Sequence, residues 1–341
     1  MKTKIQPKPE FMQKMKKLLS KSDFEKYEKI IQEPLLNSIR CNTLKISPEE
    51  LKIKLEKKGW KISQPLKNYP EVMVVENELQ PGELGRSMEH LLGYYYIQEL
   101  ASMLPAIALL APPLDIDSNY SFSLLSQKRS APKPNELILD LCASPGSKTS
   151  QIASQINNTG TIIANDVKIE RIKILASNLE RCGVADAIIT REDGVALCEK
   201  LKEQGLKFDK ILLDAPCSGE GTMRSSPKTC LMWNSNTIKS LSKLQKKLFQ
   251  KAFEILKEGG EMVYSTCTHA PEENEEVVDF ALKEFKDKIK IEKINLPVKC
   301  REGVVEWENK KYDKRVKFCA RIYPQDNNSE GFFIAKFKRI K

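Results

Sequence analysis

Two cysteines, each in a turn after an apolar segment, are the residues of this chain best suited to covalent chemistry. Cys217 lies in LLDAPCSGEG and Cys267 lies in VYSTCTHAPEEN. Only an ionised thiol is a good nucleophile, so a catalytic site must lower the pKa of the thiol with nearby positive charge or a helix dipole. Lys148 and the amino end of a helix predicted to begin near Pro271 are the candidate sources of that charge.

The turn around Cys217 carries further signs of a site. Pro216 restricts the chain before the cysteine, and Gly219 and Gly221 let the backbone bend around a substrate. Asp214 ends the preceding apolar run, so we expect it to share a crevice with Cys217 at the carboxyl ends of the strands. The alternative interpretation is that both cysteines are small buried apolar residues, as most free cysteines are. The other seven cysteines are interpreted as structural: Cys41, Cys142, Cys182, Cys198, Cys230, Cys300 and Cys319.

A third turn, LDLCASPGSKT at 139 to 149, has the features of a cofactor loop. Gly146 lets the backbone approach a ligand closely. Asp166, which follows 20 residues later at the end of the next strand, can accept hydrogen bonds from both hydroxyls of a ribose. Asp193, at the end of the third strand, could hold an adenine amino group. Asp140, Asp166 and Asp193 thus lie at the ends of three successive predicted strands. Acidic residues in these positions predict a nucleotide-type cofactor.

Two other kinds of cofactor fit this loop less well. Lys148 and Thr149 are compatible with a phosphate-binding loop, but that motif needs glycines where this chain has Cys142 and Ser147. The loop also lacks the full GxGxxG pattern of nicotinamide-binding proteins. The sequence therefore disfavours ATP, GTP and nicotinamide nucleotides.

The charge balance is compatible with two kinds of surface. The 341 residues include 56 Lys+Arg and 46 Asp+Glu, which gives a net charge of +10, and Lys14, Lys16 and Lys17 cluster near the start. Such an excess fits a polyanionic partner such as nucleic acid. It is equally typical of a surface that lysine merely keeps solvated.

Cysteine usage and hydropathy exclude several classes of protein. Nine cysteines without CxxC spacing, together with only two histidines, do not suggest a disulfide framework or a zinc site, so we expect no metal. The longest apolar run, 103 to 114, is short and contains three prolines, so we expect no membrane segment. Free thiols are typical of a reducing compartment, and we predict a cytoplasmic protein.

The apolar pattern predicts three regions along the chain. A basic amphipathic helix occupies residues 1–32, a small α+β domain occupies 33–92, and a larger domain occupies 93–341. The larger domain begins with a helical stretch at 93 to 110 and an exposed, serine-rich loop at 115–134. Apolar strand candidates then alternate with helical patterns, at 137 to 141, 161 to 165, 187 to 190, 210 to 214 and 262 to 265.

This alternation is typical of a parallel sheet covered by helices. Residues 331 to 339 look like a final strand that can pair antiparallel. The polar segment 302 to 315 fits either a surface hairpin or a substrate loop. The fold class predicted for the larger domain is therefore α/β.

The segments DLCASPGSKTSQ, ANDV, DAPCSGEGTMR and YSTCTHAPEENE resemble, in order and spacing, motifs of the Nol/Nop/Sun (Sun/Fmu-type) family of S-adenosylmethionine-dependent RNA 5-methylcytosine methyltransferases. The resemblance covers about 93 to 339 and implies a Rossmann-like class I methyltransferase sheet with a small RRM-like N-terminal domain. RCNTL (40 to 44) resembles the family's RxNTL segment, and GYYYIQELAS resembles its linker helix. Both are expected to face RNA or to pack the domains together.

The resemblance also implies roles for individual residues. Cys267 would attack C6 of the target cytosine, Cys217 would help to release the methylated product, and Asp214 and Lys148 would lie beside the base. S-adenosylmethionine would be the cofactor. Its implied binding residues are Cys142, Ala143, Ser144, Pro145, Gly146, Ser147, Lys148, Asp166, Arg171, Asp193 and Asp214.

Departures from the family pattern leave the choice of RNA open. Ser147 replaces a second glycine of the loop, and Met232 precedes Trp233 where a basic residue is usual. We expect a monomeric RNA methyltransferase that acts on tRNA first and ribosomal RNA second. One alternative is an RNA-binding assembly factor that uses the fold as a scaffold, with Arg224, Lys228 and Trp233 touching RNA or lying in a solvated loop. Methylation of DNA is the third hypothesis.

Overall fold

The structure is a computed structural model that describes residues 6–111 and 136–341. The loop predicted at 115–134 lies outside these residues. Two domains follow a short N-terminal helical segment. The smaller is built on a four-stranded sheet and the larger on a nine-stranded sheet.

The helical segment contains two helices where the apolar spacing predicted one. These are α1 (Pro9–Leu18) and α2 (Lys21–Ile30). Ser20 separates them, because its side-chain oxygen accepts a hydrogen bond from the backbone N–H of Asp23 and caps α2. The apolar spacing continues across the break, because both helices contribute to one apolar cluster with residues of the larger domain. The cluster includes Phe11, Met15, Phe24, Tyr27, Met223, Cys230 and Tyr323.

The smaller domain is an α+β unit. Its elements are β1 (Asn37–Cys41), α3 (Pro48–Glu56), β2 (Ile62–Ser63), β3 (Val72–Val75), α4 (Glu83–Arg86), α5 (Met88–Leu91) and β4 (Tyr95–Ile97). The strands lie in the order β2-β3-β1-β4, and each neighbouring pair is antiparallel. Helix α3 begins with a capping box, in which the side chains of Ser47 and Glu50 each bond the other's backbone N–H.

Strand β4 corrects the prediction of a continuous helix over 93 to 110. It pairs antiparallel with β1, and the helix α6 (Leu100–Leu110) begins only afterwards. The first sheet therefore extends beyond the domain boundary predicted between 92 and 93. An apolar run such as YYYI suits a strand as well as a helix, and pairing with β1 decides between them.

The larger domain contains the remaining elements. In chain order these are β5 (Leu137–Asp140), α7 (Ser147–Gln155), β6 (Thr161–Asp166), α8 (Ile169–Cys182), β7 (Ala187–Arg191), α9 (Gly194–Glu203), β8 (Phe208–Asp214), α10 (Pro227–Met232), α11 (Ser235–Glu254), β9 (Leu256–Thr266), α12 (Glu275–Phe285), β10 (Ile289–Glu292), β11 (Arg301–Glu302), β12 (Glu306–Trp307), β13 (Lys310–Lys311), β14 (Ala320–Ile322), α13 (Pro324–Asn327) and β15 (Phe332–Arg339).

The large sheet has the order β11-β14-β15-β9-β8-β5-β6-β7, and β10 pairs with β15. Strands β5 to β9 run parallel, and β15 pairs antiparallel with β9. The predicted α/β sheet and its antiparallel last strand are thus confirmed. Strands β12 and β13 form a separate hairpin within 302 to 315, which bears out the hairpin interpretation of that segment.

Apolar residues cover both faces of the large sheet. One cluster joins the sheet to α11 and α12 and includes Phe249, Tyr264 and Phe337. The other joins it to α6 and α7 and includes Ile138 and Leu212. Burial on both faces fixes the central strands, and it therefore fixes the positions of the turns at their carboxyl ends.

Candidate functional site

The carboxyl ends of β5, β8 and β9 meet at one edge of the large sheet, because these strands are adjacent and parallel. Asp140 and Asp214 end β5 and β8, and Cys267 directly follows β9. Cys217 and Cys267 are free thiols whose sulfur atoms lie 3.3 Å apart. The structure therefore brings together the two cysteines that the sequence singled out.

Hydrogen bonds hold the two cysteine turns against each other. The hydroxyls of Ser218 and Thr268 lie 2.8 Å apart, and the backbone N–H of Gly221 donates to the carbonyl of Cys267 at 2.9 Å. A Cβ at Gly221 would lie 2.2 Å from the carbonyl oxygen of Gly331 and 2.9 Å from that of Cys267. This glycine is therefore needed for the close approach of the turns rather than for bending around a substrate.

The thiol of Cys217 has a pKa well above its ordinary value. The first cause is its hydrogen bond with Cys267, and the second is burial. The shift at Cys217 is opposite to the lowering expected of a nucleophilic thiol. The 3.3 Å contact lets the S–H of Cys217 donate to the sulfur of Cys267.

Lys148 pairs with Asp214 at the same edge of the sheet. Its Nζ lies 2.7 Å from Oδ2 of Asp214 and donates to Oγ of Ser102 at 3.2 Å. The hydroxyl of Ser265 donates to Oδ1 of Asp214 at 2.7 Å. The ammonium charge of Lys148 is thus balanced by a carboxylate. Together the two side chains offer a donor and an acceptor to a polar ligand.

The helix predicted to begin near Pro271 begins at Glu275, four residues later. Glu273 lies in the intervening turn and is fully buried. Its Oε2 accepts hydrogen bonds from the backbone N–H of Ser218 at 3.0 Å and from Nε2 of Gln245 at 2.9 Å. Burial raises the pKa of Glu273 to about 7. This carboxyl group joins both cysteine turns to α11.

Glu220 is a second buried carboxylate that the sequence analysis missed. It accepts hydrogen bonds from Nζ of Lys14 at 2.8 Å, Nε1 of Trp233 at 2.7 Å and Oγ1 of Thr268 at 3.2 Å. It therefore ties α1 and the segment after α10 to the turn of Cys267. A glutamate between two glycines carries no sequence signal of burial, because the groups that bury it come from distant parts of the chain.

Arg224 does not face solvent, which corrects its interpretation as an RNA contact. It is 8% exposed and donates to the carbonyls of Pro34 and Ser329, both at 3.1 Å. Lys228 is exposed. Trp233 is half-buried and packs edge-on against a phenylalanine of α1. Of the three residues, Arg224 is structural, Trp233 is largely so, and Lys228 remains available to a ligand.

The cofactor loop bends between β5 and α7 at Gly146, which has φ +99°. Oδ2 of Asp140 accepts a hydrogen bond from the hydroxyl of Thr149 at 2.7 Å. Its Oδ1 is buried without a hydrogen-bond partner among the described residues. Burial raises the pKa of Asp140 to about 7. An unsatisfied buried oxygen beside this loop fits a site completed by a polar ligand.

Two further acidic residues lie at the ends of the next strands, as predicted. Oδ1 of Asp166 accepts from the backbone N–H of Lys168 at 3.2 Å, and its Oδ2 lies 3.3 Å from the guanidinium of Arg171. Arg171 also donates to the carbonyl of Ser144 in the loop. Asp193 is exposed and uses Oδ1 to cap α9. Each carboxylate retains acceptor capacity for a ligand's hydroxyl or amino groups.

Of the seven cysteines interpreted as structural, five are buried, and Cys142 and Cys300 are partly buried.

Within residues 6–111 and 136–341, no group of three or more His, Cys, Asp or Glu side chains could hold a metal ion. No helix in the described part of the chain has the length and apolar character needed to cross a membrane.

Two family descriptions match the chain. Residues 129–338 match the 16S rRNA methyltransferase RsmB/F family, and residues 8–100 match the N-terminal domain of 16S rRNA methyltransferase RsmF. The chain is 40% identical over 336 residues to the tRNA (cytosine(49)-C(5))-methyltransferase of Pyrococcus abyssi, an alignment that covers 97% of this chain and 98% of that protein.

The chain is also 36% identical over 332 residues to the ribosomal RNA small subunit methyltransferase F of Vibrio campbellii. That alignment covers 97% of this chain but only 63% of the longer Vibrio protein. Among solved structures, NSun6 from Pyrococcus horikoshii with SFG superposes with a TM-score of 0.76 at 26% identity and covers 98% of each chain.

Proposed function

Because the chain belongs to the RsmB/F methyltransferase family and is therefore an RNA cytosine-5 methyltransferase, we propose that it uses S-adenosylmethionine to methylate tRNA through its two adjacent cysteines. The observation that carries the mechanism is the pair of sulfur atoms 3.3 Å apart at the carboxyl edge of the sheet. Ribosomal RNA is the second expected substrate. The preference for tRNA is supported by the 40% identity to the tRNA (cytosine(49)-C(5))-methyltransferase of Pyrococcus abyssi, against 36% to the Vibrio ribosomal RNA methyltransferase.

The proposed reaction divides the work between the two cysteines. The thiolate of Cys267 adds to C6 of the base, which forms an S–C6 bond and makes C5 electron-rich. S-adenosylmethionine, when bound, supplies the methyl group that C5 takes up. Cys217 first gives up its own S–H proton to solvent, and its thiolate then takes the proton from C5. The electron pair of that C–H bond restores the C5–C6 double bond and expels Cys267.

The hydrogen bond between the sulfurs supports this division. An S–H group of Cys217 that donates to Cys267 stabilises negative charge on the attacking sulfur. The same contact raises the pKa of Cys217, and a thiolate of higher pKa is the stronger base when the C5 proton is removed. The carboxylate of Asp214 can accept from the cytosine amino group, and Lys148 holds that carboxylate in position.

The residues around the loop fit S-adenosylmethionine. Asp166 can accept from ribose hydroxyls, and Asp193 can accept from an adenine amino group. Asp140 has a free buried oxygen near the place where a positively charged amino acid moiety would be held. The loop residues 142–148 would surround that moiety with backbone groups.

The test combines two substitutions with a labelled methyl donor and unmodified tRNA. We expect Cys267→Ala to abolish turnover, because no nucleophile remains. We expect Cys217→Ala to trap a covalent protein–RNA adduct that survives denaturing electrophoresis, because the C5 proton is not removed. Cys198→Ala, a buried cysteine of α9, serves as the matched control and should retain turnover.

A Cys217→Ala protein that turns over normally without an adduct contradicts the assigned roles. If the labelled methyl group appears only in ribosomal RNA, ribosomal RNA is the substrate and the proposal of tRNA is wrong. Tight RNA binding without any binding of S-adenosylmethionine supports the scaffold hypothesis instead. An active Cys267→Ala variant on duplex DNA supports the third hypothesis.

A further inference from the structure

Arg40 lies in the RCNTL segment of the smaller domain, and its guanidinium reaches into the larger one. The side chain is 2% exposed. It donates to the carbonyl of Ser147 at 2.7 Å and to Oγ of Ser150 at 2.9 Å, both in the first turn of α7. It also donates to Oε1 of Gln98. Of the two roles that the sequence left open for this segment, Arg40 therefore has the domain-packing role.

Burial makes these acceptors necessary to Arg40. A guanidinium removed from water loses hydration, and burial lowers the pKa of Arg40 to about 10. Hydrogen bonds offset that loss only while the acceptors stay in place. The carbonyl of Ser147 belongs to the cofactor loop, so the position of Arg40 and the position of the loop backbone depend on each other.

Tyr96 of β4 holds a second carbonyl of the same loop. Its hydroxyl donates to the carbonyl of Pro145 at 3.2 Å, and Nδ2 of Asn178 donates to that carbonyl at 2.8 Å. The carbonyls of Pro145 and Ser147 flank Gly146, where the loop turns with positive φ. The first sheet thus fixes the backbone on both sides of the turn.

We propose that Arg40 is a positioning residue for S-adenosylmethionine. It does not touch the cofactor but holds residues 145–147 in the shape that the cofactor requires. The smaller domain thereby contributes to the affinity for the cofactor. This inference rests on the proposed function, because it takes S-adenosylmethionine as the ligand of the loop.

Other contacts between the two domains end away from the loop and provide a reference. Nζ of Lys45 donates to the carbonyl of Arg181 at 2.7 Å, and Nδ2 of Asn42 donates to that of Cys182 at 2.7 Å. Both acceptors lie at the carboxyl end of α8. Removal of Lys45 therefore weakens the contact between domains without removing a donor to the loop.

The experiment titrates the full chain and its variants with S-adenosylmethionine in a calorimeter. We expect Arg40→Met to weaken binding about tenfold or more, because hydrogen bonds from a buried charged group are lost. Tyr96→Phe removes one neutral hydrogen bond and should weaken binding about threefold. Arg40→Lys keeps one charged donor, so its loss of affinity should lie between those of Tyr96→Phe and Arg40→Met. The affinity of Lys45→Met should stay within about twofold of that of the wild type.

Two further readouts separate positioning from a general loss of structure. RNA affinity at fixed salt and the melting temperature of Arg40→Lys should stay close to those of the wild type. In turnover, the KM for S-adenosylmethionine should rise while kcat at saturating cofactor is retained. If Arg40→Met does not fold, Arg40→Lys and Tyr96→Phe decide the question.

Equal losses of cofactor affinity in the Arg40 variants and in Lys45→Met would assign the effect to domain contact in general and overturn the proposal. Unchanged affinity in the Arg40 and Tyr96 variants, beside a wild type that binds, overturns it as well. A wild type that binds no S-adenosylmethionine at all contradicts the proposed function itself. The two failures are therefore distinguishable.

Discussion

Glu273 makes the stability of the cysteine turns depend on pH. Burial raises its pKa from 4.5 to about 7, so between these values the folded protein keeps a proton that the unfolded chain has lost. The stabilising contribution is fully present below pH 4.5 and is lost as the pH rises through about 7. Above that pH the buried charge costs on the order of 3 kcal/mol.

We expect Glu273→Gln to remove this pH dependence while keeping an oxygen that accepts from Ser218 and Gln245. Urea unfolding of both proteins at pH 5 and pH 8 measures the effect. The free energy of unfolding of the variant relative to wild type should increase by roughly 2–3 kcal/mol between these pH values. Because other raised carboxyls titrate in both proteins, only the difference between them is informative. A constant difference contradicts the assignment.

At the scale of elements, Gly93 determines how closely the first sheet approaches α8. It precedes β4 with φ +73°, and a Cβ there would lie 1.8 Å from the carbonyl oxygen of Arg181. Gly59 of the same domain has φ +88°, but a Cβ there would meet nothing within 4 Å. Alanine at Gly59 therefore tests the cost of the backbone conformation alone, about 1–2 kcal/mol.

We expect Gly93→Ala to lower the melting temperature clearly more than Gly59→Ala, because it must also move β4 away from α8. Limited proteolysis should show faster cleavage between the two domains in Gly93→Ala only. The affinity for S-adenosylmethionine should fall as well, since Tyr96 lies on the displaced strand. Similar melting and proteolysis in the two variants would show that the close contact is easily relieved.

The elements predicted correctly are those whose burial is visible in their own residues. LILD and KILLD are apolar runs that end in an acid, as expected of central parallel strands, and they form β5 and most of β8. Predictions failed where a distant partner decides the structure. Pairing with β1 makes 95 to 97 a strand, and a turn that contains the buried Glu273 delays α12 to Glu275.

The same distinction applies to the candidate site. The two cysteines could be predicted because prolines and glycines mark their turns and apolar strands precede them. The burial of Glu220 could not be predicted, because it depends on Lys14 and Thr268, which are far from it in sequence. For the same reason the sequence leaves an RNA contact and a solvated loop open for Arg224, whose acceptors lie near residues 34 and 329.

At the scale of the whole molecule, part of the net charge of +10 is concentrated on α11. Lys239, Lys243 and Lys247 are exposed and spaced four residues apart, so they form a row along one face of that helix. The opposite face contacts the cysteine turns, because Gln245 donates to the carbonyl of Pro216 at 2.9 Å. The row therefore lies on the outer face of α11, across the helix from the cysteine turns, and spans about 12 Å.

We expect a triple variant with glutamine at Lys239, Lys243 and Lys247 to bind tRNA more weakly and with less dependence on salt. Each phosphate contact to a single strand contributes about 0.7 to the slope of log affinity against log salt, so the slope should decrease by up to about 2. Fluorescence anisotropy over a series of salt concentrations measures both quantities.

The matched control removes the same charge at the opposite edge of the sheet. Lys202 and Lys207 are exposed and Lys257 is half-buried, and all three lie near the amino ends of β8 and β9, far along the strands from the cysteine turns. Their replacement by glutamine should leave the salt slope nearly unchanged, because an RNA held at the site does not reach them. Equal losses in both triple variants would mean that net charge attracts RNA without a preferred face, since each variant loses three positive charges.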